Sequence, residues 1–387
     1  MTWMQFLELG LSLSLQVTLV VVLCHWLGRF VNPREQCRLW TTCFVMTLLL
    51  SVAALTLPHL RLFSWSTNVA TPNFVGLVTL EMQLGKTLFF VWLAGSGVML
   101  LLTVYGMIQT SRFLKTCQPV DPEVLRFSDL DDKATLSPIA TREVQLLSSK
   151  SVVSPFCWQF HRPCIVLPEY LLTIDRDQLR FVVRHEQEHL RTGHPLQLFL
   201  QRCVEIVFWF HPLVWWAARQ VTVSREVACD VAAVNSPADI VKYLRTLLSI
   251  VERSAMPSHW ALRPLAFLGT RSVIASRTRR LVELARGTTA ARPPQLSGQA
   301  ASAGLVAASV LTMAIWLPVD LLGPSASGWS PWPKWTAGVL HDFGIHARDF
   351  EAQGSRDNLQ ELIDPDDGDD DLPRRETSEG AAATHHD

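Results

Sequence analysis

Charged side chains are scarce in this chain. Asp, Glu, Lys and Arg together make up 18% of its 387 residues, against about a quarter in ordinary soluble domains. Neither sign dominates, and a formal net charge of -1 excludes the basic surplus that general nucleic-acid affinity requires, so no direct nucleic-acid partner is expected. No internal repeat runs through the chain, which excludes a solenoid. A disulfide framework is excluded as well: all eight cysteines fall within apolar runs or segments expected to face the cytoplasm. A cleavable leader is not expected either. The first apolar run lacks a basic start, carries Glu8 and shows no small-x-small pattern before Arg29, so it reads as a retained anchor.

Apolar residues fill the space, at 49% of the chain. They concentrate in four runs, 6–27, 39–57, 87–108 and 300–319, each about the length needed to cross ~30 Å of hydrocarbon as a helix. The alternative for each is a buried core helix, which four such runs with so few charges disfavour. Trp3, Trp26, Trp40 and Trp316 near the run ends suggest an interfacial belt. Arg29, Arg34 and Arg38 assign the first loop to the cytoplasm, which puts the N-terminus outside and the long block after the third run inside. The expected fold is a mainly α membrane protein with four transmembrane helices and an inserted α+β domain. Residues 1–111 form the three-helix region, 112–297 the cytoplasmic domain, 298–319 the fourth span and 320–387 a short, partly disordered acidic exterior tail.

The inserted block carries His185-Glu186-Gln187-Glu188-His189. A helix brings positions i and i+4 onto one face, so both imidazoles can reach one metal ion while Glu186 stands beside it as general base. Asp175 with Gln178 reads as a capping box, Leu179, Val182, Val183 and Leu190 supply the apolar face, and Gly193 with Pro195 the stop. A third ligand is needed, and Glu226 is the best candidate, with Asp230 one turn on to hold a ligand histidine by hydrogen bond. The bland alternative is that both are ordinary solvated helix charges. Cys229 between them is either buried packing, the commoner case, or a thiolate ligand. His211 and His194 are candidate substrate or transition-state contacts, or else structural hydrogen-bonders. Glu188 is expected to face solvent.

Between the two metal-bearing segments, residues 195–218 are almost as apolar as a fifth span. Both ends must return to the same zinc site, so a helical hairpin broken at Pro212, lying against or dipping into the bilayer, satisfies the pattern better than a crossing. Alternation around Val152, Val153 and 164–167 suggests short strands, with Pro155, Pro163 and Pro168 confining them to edges or strand ends. An edge strand near the zinc helix can hold an extended peptide by main-chain pairing. The more polar stretch 121–149 reads as a linker.

Taken in order, Ser154-Pro155-Phe156, Arg162 to Glu169, His185 to His189, Trp209 to Trp215 and Glu226 with Ala228-Cys229-Asp230 resemble the bacterial antirepressor metallopeptidases of the BlaR/MecR type. The resemblance covers about 151–234 specifically and the span arrangement more loosely. It implies a gluzincin-like zinc endopeptidase in a bacterial inner membrane, with His185, His189 and Glu226 on Zn2+ and Glu186 as base. It also implies a signal transducer that cleaves a cytoplasmic regulator such as a transcriptional repressor. The chain departs from the family where His194 stands in place of an acidic residue and Gln159 in place of glycine.

The tail after the fourth run is too short to resemble a penicillin-binding sensor and has no S-x-x-K motif, so a separate sensor partner or a homodimer is the expected alternative. Trp329, Trp332 and Trp335 suggest a segment at the outer interface, and 364–371 a solvated charge run rather than a calcium loop. Competing classes are a non-catalytic membrane signalling scaffold that retains the peptidase fold, and a prenyl-processing or heat-shock type membrane protease.

Overall fold

The computed structural model describes residues 3–57, 59–60, 74–120, 144–160, 162–254, 271–286, 296–313, 315–317 and 329–330. Three of its helices are long and apolar enough to cross a membrane: α1 (Trp3–Gly28), α2 (Pro33–Thr56) and α3 (Phe74–Leu114). The third run of the sequence is only the middle of α3, whose 41 residues extend about 60 Å at 1.5 Å per residue. Between α2 and α3 lies β1 (His59–Leu60). Of the four tryptophans expected at an interface, Trp26 is exposed, but Trp40 and Trp316 are buried in the bundle.

The fourth run folds differently from its expectation. Its helix, α9 (Gly298–Thr312), has 15 residues, about 22 Å, and Ile315–Leu317 continue without helical structure beside α1. Unwound backbone in apolar surroundings must find partners. A buried stripe on α1, Glu8, Ser12 and Gln16, supplies them at i, i+4 and i+8. Gln16 Nε2 donates to the Ile315 carbonyl at 2.9 Å, the Leu317 N–H donates to Ser12 Oγ at 3.0 Å, and the Trp316 indole donates to the Glu8 carboxylate.

Loop partners meet at each of the two bundle ends. At one end Val31 bridges Leu296, and Glu35 accepts the Gly298 N–H at 2.6 Å. At the other, β1 pairs antiparallel with β6 (Trp329–Ser330), joining the loop after α2 to the segment after α9. Trp332, Trp335 and 364–371 lie outside the described residues, as does the side chain of Trp329.

The inserted block contains a four-stranded sheet in the order β2-β3-β5-β4, with β2 at Gln118–Pro119, β3 at Gln145–Ser149, β4 at Phe156–Trp158 and β5 at Cys164–Pro168. Part of the expected linker is therefore a strand: β3 pairs parallel with β5, Leu147 against Val166. Val152 and Val153 lie outside the strands, while β5 is buried along its length and β4 forms the edge beside it, antiparallel. Prolines sit where they were expected, before β4 and at the two ends of β5. A 3-10 turn (Glu169–Thr173) leads into α4 (Arg176–Arg191), which packs Leu179, Val182, Val183 and Leu190 onto Ile165, Leu167 and Leu171.

Helices α5 (His194–Val207) and α6 (Pro212–Ala233) form the hairpin, broken at 208–211. It inserts into the bundle: Val204, Phe208, Val214, Ala217 and Val221 share one core with Val17, Val20, Leu39 and Phe44 of α1 and α2. Carbonyls freed at the break are taken by indoles, Trp92 donating to Val207 at 2.9 Å and Trp215 to Trp209 at 2.7 Å. In return, the Trp209 indole donates to the Trp92 carbonyl at 3.2 Å. The Trp209 ring lies where a Cβ on Gly95 would stand, 2.2 Å from one of its carbons, so only glycine at 95 lets this ring seat on α3. Two further helices complete the block: α8 (Arg271–Ala285) packs on α6, and α7 (Pro237–Ser254) on α4 and α8.

Candidate metal centre

Helix α4 starts where the sequence places it, with Asp175 at the N-cap, but the Asp175 side chain makes no capping hydrogen bond. It ends as expected. Gly193 adopts φ +70°, a left-handed conformation that glycine enters without a Cβ penalty, and this turn folds the start of α5 back over the last turn of α4. On α4, His185 and His189 face one point, Nε2 to Nε2 at 3.2 Å. Glu226, on α6, closes the triangle at 3.6 Å from each Nε2. A tetrahedral ion with Zn–N and Zn–O bonds of about 2.0–2.2 Å separates its ligand atoms by roughly 3.3–3.5 Å, so the three side chains fit such an ion with shifts of a few tenths of an ångström.

Asp230, fully buried, stands behind His185 with Oδ1 3.1 Å from its Nδ1, as the helical spacing predicts. Two further residues escaped the sequence reading. The Tyr243 hydroxyl on α7 donates to Asp230 at 2.6 Å and lies 3.0 Å from His185 Nδ1. Arg277 on α8 donates to both Asp230 oxygens, at 2.8 and 2.6 Å, and its Nη1 is 2.8 Å from Glu226. Arg277 lies among several arginines that precede the fourth apolar run, and Tyr243 lies on a helix with no motif. Neither carries a local signal of a role at the site.

The two candidate contacts lie in different places. His211 is not at the centre: it sits at the hairpin break, its Nε2 3.2 Å from the Ser14 carbonyl and 3.3 Å from Thr18 Oγ1. From there to Glu226 is about 22 Å along α6, at 1.5 Å per residue. His194 is close to the triangle, at the Nδ1 side of His189. Its Nδ1 is 2.9 Å from His189 Nδ1, and its Nε2 is 3.4 Å from Cys37 Sγ on α2. Glu188 does not face solvent freely, since it is bonded bidentately to Arg191 and its side chain is 14% exposed.

Environment separates the titrating groups. Burial disfavours charge on His185, yet hydrogen bonds to Asp230 and Glu226 outweigh it and raise its pKa to about 9. For His189, burial prevails and lowers the pKa to about 3. Burial lifts Glu186 to about 7 against the pull of His185, with Glu226 reinforcing the rise. Burial also opposes the charges of Glu226 and Asp230, but Arg277 overrides it, holding Glu226 well below the carboxylate range and Asp230 at about 2. One buried carboxyl is thus balanced near neutrality beside a second held ionised, the division of labour that proton transfer next to a metal needs.

The sequence profile of a family described as "BlaR1 peptidase M56" matches residues 4–268. The chain is also similar to a protein from Bacillus licheniformis named "Regulatory protein BlaR1", at 28% identity over 156 residues. That stretch is 40% of this chain and 25% of the relative, so the chain spans about a quarter of the length of the curated relative it matches.

Proposed function

Since the chain belongs to the BlaR1 peptidase M56 family, we propose that it is a zinc-dependent endopeptidase whose site faces the cytoplasm and cuts a regulatory protein there. The observation that carries this is the convergence of His185, His189 and Glu226 on one point, with the adjoining Glu186 a buried carboxyl balanced near neutral pH. A zinc ion bound by those three residues supplies Lewis acidity toward a water molecule and the scissile carbonyl. Glu186 takes the proton from the attacking water and later delivers it to the departing amine. Asp230 and Tyr243 hold His185 by its Nδ1, and His194 holds His189 by its Nδ1, so each ligand presents Nε2.

The edge strand β4, which packs beside α4, has no strand on its outer side among the described residues and offers that side to an extended peptide in this reading. In this reading the gluzincin-like domain lies inside the cell, while the N-terminus and the segment after α9 lie outside. The substrate is a cytoplasmic protein, with a transcriptional repressor the leading choice, and a change outside arrives through the bundle or through a separate sensor partner or homodimer.

The test is direct. The chain is purified in detergent, and bound zinc and cleavage of a denatured protein are measured for wild type, Glu186→Ala and Glu226→Ala. Zinc in wild type, an inert but zinc-loaded Glu186→Ala and a zinc-free Glu226→Ala support the assignment. Cleavage indifferent to Glu186 sinks it, and a chain that binds no zinc belongs instead to the scaffold class.

A further inference from the structure

Behind the proposed zinc ligands lies a second group of ligand atoms. His189 Nδ1, His194 Nδ1 and Cys229 Sγ all stand within 4.8 Å of one another. His194 Nδ1 is 2.9 Å from His189 Nδ1 and 3.5 Å from Cys229 Sγ. For an ion with metal–nitrogen bonds near 2.0 Å and a metal–sulfur bond near 2.3 Å, tetrahedral angles require about 3.3 Å between nitrogens and about 3.5 Å between nitrogen and sulfur. The His194–Cys229 separation already meets this, His189 Nδ1 lies within 4.8 Å of Cys229 Sγ, and the two nitrogens need to part by a few tenths of an ångström.

Three elements build this set. His189 comes from the last turn of α4, His194 is swung over it by the left-handed Gly193, and Cys229 lies on α6, one turn after Glu226. His194 is 4% exposed and Cys229 is fully buried. The far nitrogen of His194 faces Cys37 Sγ, whose thiol donates onward to Gln197 Oε1 at 3.2 Å. That contact lets His194 carry its proton on Nε2 and turn the Nδ1 lone pair toward His189 and Cys229.

We infer that His189, His194 and Cys229 form a second metal site, selective for a soft monovalent ion such as Cu(I), and that it excludes zinc from the first. Selectivity follows from softness and charge. A thiolate with two imidazoles suits Cu(I), and one thiolate cancels the charge of a monovalent ion, so the filled site is neutral where it is buried. Exclusion follows from His189, shared by both sets. A neutral imidazole has one lone pair. When zinc holds Nε2, the proton is on Nδ1 and donates to His194. When Cu(I) takes Nδ1, that proton moves to Nε2, Cys229 loses its thiol proton to solvent, and zinc leaves with its charge unchanged. No electron is transferred.

The inference rests on the zinc reading only for the exclusion, so two measurements separate them. In the first, the metal-free full chain in detergent receives one equivalent of Cu(I) from a chelator-buffered anaerobic stock, and X-ray absorption reads the copper shell. One sulfur with two nitrogens in wild type, with the sulfur lost in Cys229→Ser, is expected. A shell without sulfur, one with two or more sulfurs, or one unchanged by Cys229→Ser overturns the site, and the wild-type shell alone decides should that variant misfold.

In the second, zinc-loaded chain is titrated with the same Cu(I) stock and released zinc is read with a dye. Release of about one zinc per chain in wild type and almost none in Cys229→Ser is expected, both proteins starting with equal zinc. Equal release from both overturns the exclusion. A wild type that holds no zinc at the start defeats the peptidase reading, while the copper shell still decides the second site.

Discussion

Arg277 Nη1 stands 2.8 Å from the carboxylate of Glu226, the residue that closes the proposed zinc triangle. The same guanidinium grips both oxygens of Asp230, so one cation from α8 joins two carboxylates one turn apart on α6. Without it the two carboxylates keep His185 as a shared partner, and Asp230 keeps Tyr243, but the cation that joins both is lost. Arg277→Ala should therefore destabilise the metal-free protein strongly, by about 3–5 kcal/mol, the usual consequence of leaving a buried charge without its partner. Arg277→Lys should recover only part of this, because an ammonium cannot reproduce the two-pronged contact. Thermal unfolding in detergent reads both, and an unchanged midpoint in Arg277→Ala would show that the contact carries no stability.

Tyr243→Phe removes a hydroxyl that donates to Asp230 and borders His185 Nδ1 while leaving the ring in its packing. Zinc affinity should fall by about 10- to 100-fold, as for other groups that orient ligand histidines, with the fold intact. Chelator competition measures it. Equal affinity in the variant would show that Asp230 and Arg277 suffice to orient His185.

Zinc binding should depend on pH through His185. Below its raised pKa of about 9 this ring is protonated in the metal-free protein, and zinc must displace that proton to use Nε2. Between pH 7 and 9 affinity should rise by about tenfold per pH unit and then level off, with about one proton released per zinc near pH 7. His189, lowered to about 3, is already neutral there and adds no slope. Titration calorimetry in buffers of different ionisation heat counts the protons, and zero release would contradict the assignment.

The hairpin makes a prediction far from the metal. Because the Trp209 ring occupies the space beside Gly95, Gly95→Leu should expel the indole and break the paired contacts between Trp92 and the hairpin tip. The hairpin leads directly into α6 and Glu226, so zinc affinity should drop although the substitution lies within α3. Trp209→Ala combined with Gly95→Leu should restore part of it by vacating the space. A single variant that binds zinc like wild type would show the hairpin tip and the metal centre to be uncoupled.

Local spacing alone determined much of this protein. The i, i+4 pairing of His185 with His189 and of Glu226 with Asp230 needs only a helix, and Gly193 with Pro195 marks where that helix stops. The apolar lengths of the first three runs are likewise properties of short stretches of chain. Tertiary structure decided what distant segments do for one another. Ser12 and Gln16 become partners for unwound backbone some 300 residues away, and Glu8 for the Trp316 indole beside it, where the fourth apolar run continues beyond its helix at Thr312. Arg277 and Tyr243 reach the metal centre from helices that carry no motif, and His211 is drawn to α1 because a break inside an apolar bundle must place its polar groups on whatever donors and acceptors the neighbouring helices offer. Periodicity reports which face of a helix is apolar, but the identity of the helix it meets is set by packing across the whole chain.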